Sequence, residues 1–353
     1  MPVNQTLAQF SDWSYFTAFG LYLVALLFFI GHYVRRQFAI EAEREAALTE
    51  SADEKVLVGA GASNANAADN VDATDSVATG TSSSSVSTRE AQSEKAEKYS
   101  KVARRWGNMG ELVLFLGIAV HFASVVLRGL ATSRFPWGNL YEYIALTLLF
   151  AMIMAAALLH QEKMKVFWPW LLTPVAALMF YGGTSLYAES APVVPALKSN
   201  WFIIHVSTVS GGGSILLVSG IASLLYLLRI AQPKGKEKGF FGKVVMPLPE
   251  AKTLDAIAYR TAILGFPLFG LGIVLGAIWA EVAWGRFWGW DPKETVSLIT
   301  WMIYAAYLHA RATSGWRNHK AAWINILGFA TMVFNLFFIN MVVSGLHSYA
   351  GLN

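Results

Sequence analysis

Apolar runs of about 20 residues recur along this chain, and each is long enough to cross a bilayer as a helix. The sequence predicts eight: 14–34, 111–130, 140–160, 167–187, 201–229, 262–282, 294–311 and 323–346. Inside lipid only helices and closed barrels satisfy the backbone, and runs that do not alternate polar with apolar argue for helices. The expectation is therefore an all-α polytopic membrane protein with about eight transmembrane helices. A content of 55% hydrophobic against 14% charged residues agrees. No small-residue cleavage pattern follows the first run, so 1–35 reads as a retained helix rather than a signal peptide.

Charge predicts which way the helices run. Of 27 Lys and Arg residues, 22 fall in 35–110, 161–167, 229–260 and 311–320. The other five are Arg128, Arg134, Lys198, Arg286 and Lys293. By the positive-inside rule both termini face outward and the four basic segments face the cytoplasm. Residues 36–104 differ in composition, with Glu, Ala, Ser, Thr, Asn and Asp dominant and a serine run from Ser82 to Ser85. This predicts a mostly disordered cytoplasmic linker with helix near 36–50 and 89–105. The lysines of 231–260 set topology and meet anionic lipid. The rest, 105–353, is a membrane domain. The chain has no cysteine, which excludes thiol exchange, thiolate metal ligation and thioester chemistry by its own side chains. It carries neither a Walker motif nor a glycine-rich dinucleotide fingerprint, and no nucleic-acid partner is expected.

Function concentrates in the loop 281–295. Trp284-Gly285-Arg286-Phe287-Trp288-Gly289-Trp290-Asp291-Pro292-Lys293-Glu294-Thr295 places three tryptophans and a phenylalanine within seven residues at a membrane surface. An interfacial belt spreads aromatic residues over many helix ends; here Trp279, Trp284, Trp288, Trp290 and Trp301 gather about one loop. Such a face suits a large, flat, apolar ligand with a polar edge. Gly285 and Gly289 permit close approach or a sharp bend. Asp291, Pro292 and Glu294 read as a capping box opening a helix. Arg286 and Lys293 can meet ligand carboxylates or lipid phosphate, and the sequence does not choose.

The chain has seven histidines. His205 begins one helix and His347 follows the end of another, both on the same side as the aromatic loop. Together with that loop they suggest two axial ligands for one haem. His309 lies deep in the run 294–311, where an ionisable group is a functional candidate by default. It reads as a second, intramembrane ligand whose partner is His121 or a histidine of another polypeptide. His121 otherwise reads as a packed core residue, His32 and His160 as helix-end residues, and His319 as a solvated one.

The loop, with Leu298-Ile299-Thr300-Trp301 and Tyr307-Leu308-His309-Ala310-Arg311 after it, resembles the WWD haem-handling proteins. The Pro-Lys-Glu-Thr continuation is similar to the CcsA branch of System II cytochrome c biogenesis, also called CcsB or ResC. The resemblance covers about 110–350. It implies haem b as substrate, delivered across the membrane and joined by thioether bonds to apocytochrome c bearing a C-x-x-C-H motif. It also implies a ResB-type (CcsB-type) membrane partner, so that the chain would be one subunit of a cytochrome c haem lyase. In this picture His205 and His347 are the outer iron ligands and His309 the intramembrane one. Trp284, Trp288, Trp290, Asp291 and Arg286 then bind the porphyrin. The setting implied is a bacterial plasma membrane, or secondarily a plastid membrane, with the loop extracytoplasmic. A haem exporter or chaperone without ligase activity remains the alternative. Pro136, Asn139, Tyr141 and Glu142 also look like a family segment, with no role assigned. Gly211-Gly212-Gly213 stands where bulkier residues are expected.

Overall fold

The computed structural model describes residues 3–64, 78–159 and 161–347, apart from the side chains of 52–86 and 196. Among the described residues there are nine α-helices and no strand. They are α1 (Gln5–Asn64), α2 (Ala78–Thr132), α3 (Leu140–Leu158), α4 (Trp168–Thr184), α5 (Asn200–Ala231), α6 (Gly239–Val245), α7 (Ala251–Trp284), α8 (Pro292–Ala312) and α9 (His319–Phe334). A π-helical turn, Asn335–Ile339, continues α9.

Seven of these helices are long and apolar enough to cross a membrane. The eighth run expected, 294–311, is helix α8, and it is the polar exception because Lys293, Glu294, His309 and Arg311 lie near its ends. Its partners nevertheless show it spanning the bundle. Against α7 it pairs Trp301 with Phe266 and Arg311 with Asp255, and at its start Glu294 pairs with Arg286 just past the end of α7. Against α9 and its π turn it pairs Tyr304 with Gly328 and Ser297 with Asn335. Rising positions on α8 meet falling ones on both neighbours, so α8 is an antiparallel rod between them. The chain is an all-α polytopic membrane protein.

Helices α1 and α2 form one long antiparallel hairpin. Buried positions on α1 recur every seven residues at Ala8, Tyr15, Tyr22 and Phe29, and again at Ser11, Ala18, Ala25, His32 and Ala39. On α2 the same spacing joins Ala96, Ala103, Gly110, Gly117, Ser124 and Ala131. A strict seven-residue repeat is the seam of a coiled coil. Ser11 and Ser124 lock it by reciprocal hydrogen bonds to each other's carbonyl, at 2.8 and 3.0 Å. The repeat continues past residue 35 to Ala39, with Ala42 buried beside it, while Ala96 and Ala103 are buried on α2 and the Ala103 carbonyl meets His32 at 2.8 Å. Helix therefore extends beyond the expected 36–50 and 89–105, to Asn64 on one arm and from Ala78 on the other. Residues 65–77 lie outside the described residues.

The other seam that matters is α5 against α7. A Cβ at Gly212 would stand 2.5 Å from the Phe269 amide nitrogen, and one at Gly272 would stand 2.7 Å from the Val209 Cα. Small residues here let two backbones touch, as they do where membrane helices pack most closely. The middle of the Gly211-Gly212-Gly213 run thus has a physical role: it admits α7.

Buried ion pairs mark the end of the bundle away from the aromatic loop. Arg229 bonds Glu237 at 2.8 Å, and Arg44 reaches the same carboxylate at 2.8 Å. Lys165 is held by Glu111 and Glu162. At the loop end a comparable knot surrounds Glu142, which accepts from Arg128 Nε (2.9 Å), Arg134 Nη1 (2.7 Å) and the Gly138 amide (2.6 Å).

Candidate functional site

The aromatic loop is built from its two flanking helices. Helix α7 stops at Gly285, whose φ of +71° turns the chain through the left-handed region glycine favours. Helix α8 starts with a full capping box: the Asp291 side chain accepts from the Lys293 amide at 3.2 Å, and Glu294 accepts from the Asp291 amide at 3.1 Å. Glu294 also takes the Gly289 amide at 3.0 Å and Arg286 Nη1 at 3.2 Å. The guanidinium lies over the Trp284 ring, 5.6 Å from its centroid, in space that a side chain at residue 289 would fill. One carboxylate thus ties three loop positions, 286, 289 and 291, to the first turn of α8.

The expected cap on Asp291 is present, and its carboxylate does more. Its Oδ1 accepts the Leu346 amide at 2.7 Å, and its Oδ2 accepts His347 Nδ1 at 2.7 Å. Burial alone would raise this carboxyl, but the hydrogen bonds from His347, Leu346 and Lys293 outweigh it and hold it below the usual range. For His347 burial is the larger influence and pushes the imidazole below its ordinary value, against the pull of Asp291. His347 is therefore neutral at neutral pH. With Nδ1–H donated to a carboxylate, the lone pair resides on Nε2.

His205 reaches the same condition by a different route. Its Nδ1 donates to the Gly272 carbonyl of α7 at 2.7 Å. That carbonyl is within reach because Gly212 and Gly272 bring the helices together. The ring lies in a slot above Gly276, where a Cβ would stand 2.6 Å from its Cε1. Nε2 is again left without a protein partner among the described residues.

Trp279, almost fully buried, lies between the two histidines. It stacks with His205 at 5.9 Å and 12°, and meets His347 at 5.9 Å and 64°. Trp284 packs edge-on to both Trp279 (4.8 Å) and His347 (5.0 Å). Both imidazoles border a cavity of about 1280 Å³, part of it open to solvent, with Phe287, Trp288 and Lys293 in its wall. They also border a second space of about 680 Å³ reaching Trp137, Phe202 and Asn340. Among the described residues no three His, Asp or Glu side chains form a cage for a bare metal ion. Two oriented imidazoles on one cavity suit a metal that arrives with its other ligands attached.

The expected residues divide accordingly. His205, His347, Trp284, Trp288, Asp291 and Arg286 come together. Trp290 does not line either cavity: it is 68% exposed, at φ +58°, and meets Trp288 edge-on at 5.8 Å. Trp301 leaves the group and stacks on Phe266 at 5.0 Å, between α7 and α8. His309 is exposed on α8, about 22 Å along the helix from Glu294 at 1.5 Å per residue. His121 is not brought to it: that ring is fully buried, 3.2 Å from the Tyr22 hydroxyl and edge-on to Tyr15. His32 is buried rather than interfacial, bonded to the Ala103 carbonyl at 2.8 Å. His319 is exposed as expected, and His160 lies outside the described residues.

Sequence reasoning missed two supports. Trp279 was one tryptophan among five, and nothing local marks it as the one between the histidines. The 136–142 segment was visible without a role. In the structure Asn139 caps α3 by accepting the Glu142 amide at 2.9 Å, Glu142 anchors the arginine knot, and Trp137 Nε1 donates to Ser207 at 3.2 Å, two residues from His205.

Comparison with known proteins gives a consistent result. Residues 137–347 match the family model described as cytochrome C assembly protein. "Cytochrome c biogenesis protein CcsA" of Guillardia theta is 37% identical over 242 residues, covering 64% of this chain and 80% of the relative. The protein of the same name from Gloeobacter violaceus is 34% identical over 280 residues, covering 64% and 81%.

Proposed function

This chain belongs to the cytochrome c assembly protein family and so takes part in cytochrome c maturation, and within that role we propose that it binds haem b at the aromatic loop and presents it for covalent attachment. One observation carries this reading. His205 and His347 reach the same cavities with Nδ1 already engaged, so each keeps Nε2 for iron. Metal-bound histidines characteristically donate their other nitrogen to a carboxylate or carbonyl, which fixes the tautomer and the ring plane.

The chemistry then follows from position. Trp284 and Trp279 hold the His347 ring, and Trp288 and Phe287 offer apolar surface to the porphyrin. Asp291 orients rather than ligates. A thiol of the C-x-x-C-H segment adds across a haem vinyl group, sulfur to one carbon and hydrogen to the other, with no net oxidation. The protein's contribution is to hold the reacting groups in register. The substrate's own histidine displaces one imidazole, which releases the product.

A ResB-type membrane partner supplies what this chain lacks for ligation, and His309 meets it from the exposed side of α8. The excess of Lys and Arg at the other end of the bundle supports a loop on the side of the membrane away from the cytoplasm.

The test is the absorption spectrum of the purified chain co-expressed with its partner. The wild type is expected to carry a reduced haem spectrum that is lost or shifted when His205→Ala and His347→Ala are combined. A folded wild type without haem would overturn the reading. Thioether product formed by the chain alone would overturn the role given to the partner.

A further inference from the structure

The loop carries two cations, and the structure treats them differently. Arg286 is committed: Glu294 takes its Nη1 at 3.2 Å, and its guanidinium lies over Trp284 in the space above Gly289. Its partners hold the loop together. Lys293 has no carboxylate within 4.0 Å among the described residues. Its ammonium donates to Asn340 Oδ1, and it stands 5.8 Å from the Tyr143 ring centroid. Asn340 is held for this by its own amide, which donates to the Leu336 carbonyl at 2.6 Å. A lysine has three N–H donors, and Asn340 accepts one of them.

The position is as telling as the lack of a counter-ion. Lys293 lines both cavities, in company with His205, His347 and Tyr143. Beside it Asn335 lines the larger cavity, with its amide nitrogen given to Ser297 at 2.8 Å and its Oδ1 buried without a partner. A cation held in a mostly apolar wall is costly unless an anion compensates it. The Asp291 oxygens are already taken by His347, Leu346 and the Lys293 backbone amide. Among the described residues no carboxylate oxygen is left free to meet the ammonium, and an anion carried by the ligand would compensate it.

The geometry points to Lys293, not Arg286, as the residue that receives a carboxylate of the bound ligand. Resting on the haem reading, this makes Lys293 a positioning residue for a porphyrin propionate. With iron on His205 and His347, a propionate on Lys293 fixes the rotation of the macrocycle in its plane. That rotation decides which edge, and hence which vinyl groups, faces the incoming thiols.

The full-length chain in detergent micelles tests this by titration with two probes, ferric haem and its dimethyl ester, followed in the Soret band. Both carry the same iron and the same vinyl groups; only the first has free carboxylates. The wild type is expected to bind the diacid about tenfold more tightly, the worth of one charge-assisted hydrogen bond. Lys293→Met should abolish that preference by weakening the diacid alone, Lys293→Arg should keep it, and Arg286→Met should keep it. Equal binding of the two probes by the wild type, or loss of the preference in Arg286→Met with retention in Lys293→Met, overturns the assignment. A preference that disappears when phosphatidylglycerol is added to the micelles assigns Lys293 to lipid phosphate and also overturns it. If the folded wild type binds neither probe, the haem reading itself fails. If it binds both equally, only this inference does.

Discussion

Two pairs of histidines in this bundle show what separates a candidate ligand from a merely present imidazole. His205 and His347 each give Nδ1 to a fixed acceptor, Gly272 O or Asp291, and share the two cavities. His121 and His309 lack that combination, and neither lines the two cavities. His121 is sealed in the α1–α2 seam beside Tyr22, and His309 stands exposed on α8. The lesson is that an orienting partner and an open space on the other nitrogen matter more than the residue type. The first comes from the backbone packing of α5 on α7, or from a helix cap. The second is the space that α3, α5, α7, α8 and the end of α9 leave between them.

The largest break in this comparison should come from removing both imidazoles of the first pair. His205→Ala with His347→Ala is expected to abolish bound haem while leaving the thermal unfolding midpoint close to that of the wild type. His121→Ala should do the reverse, opening a cavity in the coiled-coil seam and lowering stability by about 2 kcal/mol with the spectrum retained. Haem spectra and thermal melts on the same preparations distinguish the two.

The orienting groups come next. Asp291→Ala removes the acceptor of His347 and the cap of α8 together. Loss of a histidine's second-shell partner typically weakens a metal site by about 10–100-fold, and loss of the cap costs about 1 kcal/mol. Haem titration and unfolding midpoints measure both. Retention of full affinity would show that the carboxylate is only a cap.

Glycines sharpen the comparison on the His205 side. Gly276→Ala places a methyl 2.6 Å from the His205 ring and should displace it, weakening haem binding more than stability. Gly212→Ala drives α5 from the Phe269 backbone and should cost about 1–3 kcal/mol as well, by overpacking. Gly213→Ala meets only Met332 Sδ at 3.5 Å, an ordinary contact, and is the control. Equal effects from all three would sever the link between the α5–α7 seam and the site.

The smallest effect is expected at His309. It is exposed, so His309→Ala should change stability by no more than about 0.5 kcal/mol. The spectrum of the isolated chain should not change. Any loss of haem should appear only with the partner present, and a loss in the isolated chain would show that His309 binds haem without it.

Much of the site was legible because its local parts obey local rules. The aromatic loop, the Asp291–Glu294 cap and the helix on either side follow from residues within a few positions of each other. The coiled-coil hairpin was less legible. The composition of 36–104 signals disorder, while the alanines that carry the seam, Ala39, Ala96 and Ala103, are unremarkable by type and informative only by their seven-residue spacing. Trp301 shows the opposite error. It lies near the loop in sequence, yet its place more than two turns into α8 points it at Phe266 instead.

The sequence by itself determined the apolar helices, the excess of charge on one set of connections, the cap that starts α8 and the presence of histidines near the loop end. These rest on hydrophobic runs and on hydrogen bonds that close within one helical turn. Only the tertiary structure decided that Asp291 bonds His347 across 56 positions, that Gly272 bonds His205 across 67, and that Arg286 is spent while Lys293 is not. Those choices depend on where two helices cross. A crossing is set by the close approach of small residues such as Gly212 and Gly272, which no local pattern in either helix specifies alone.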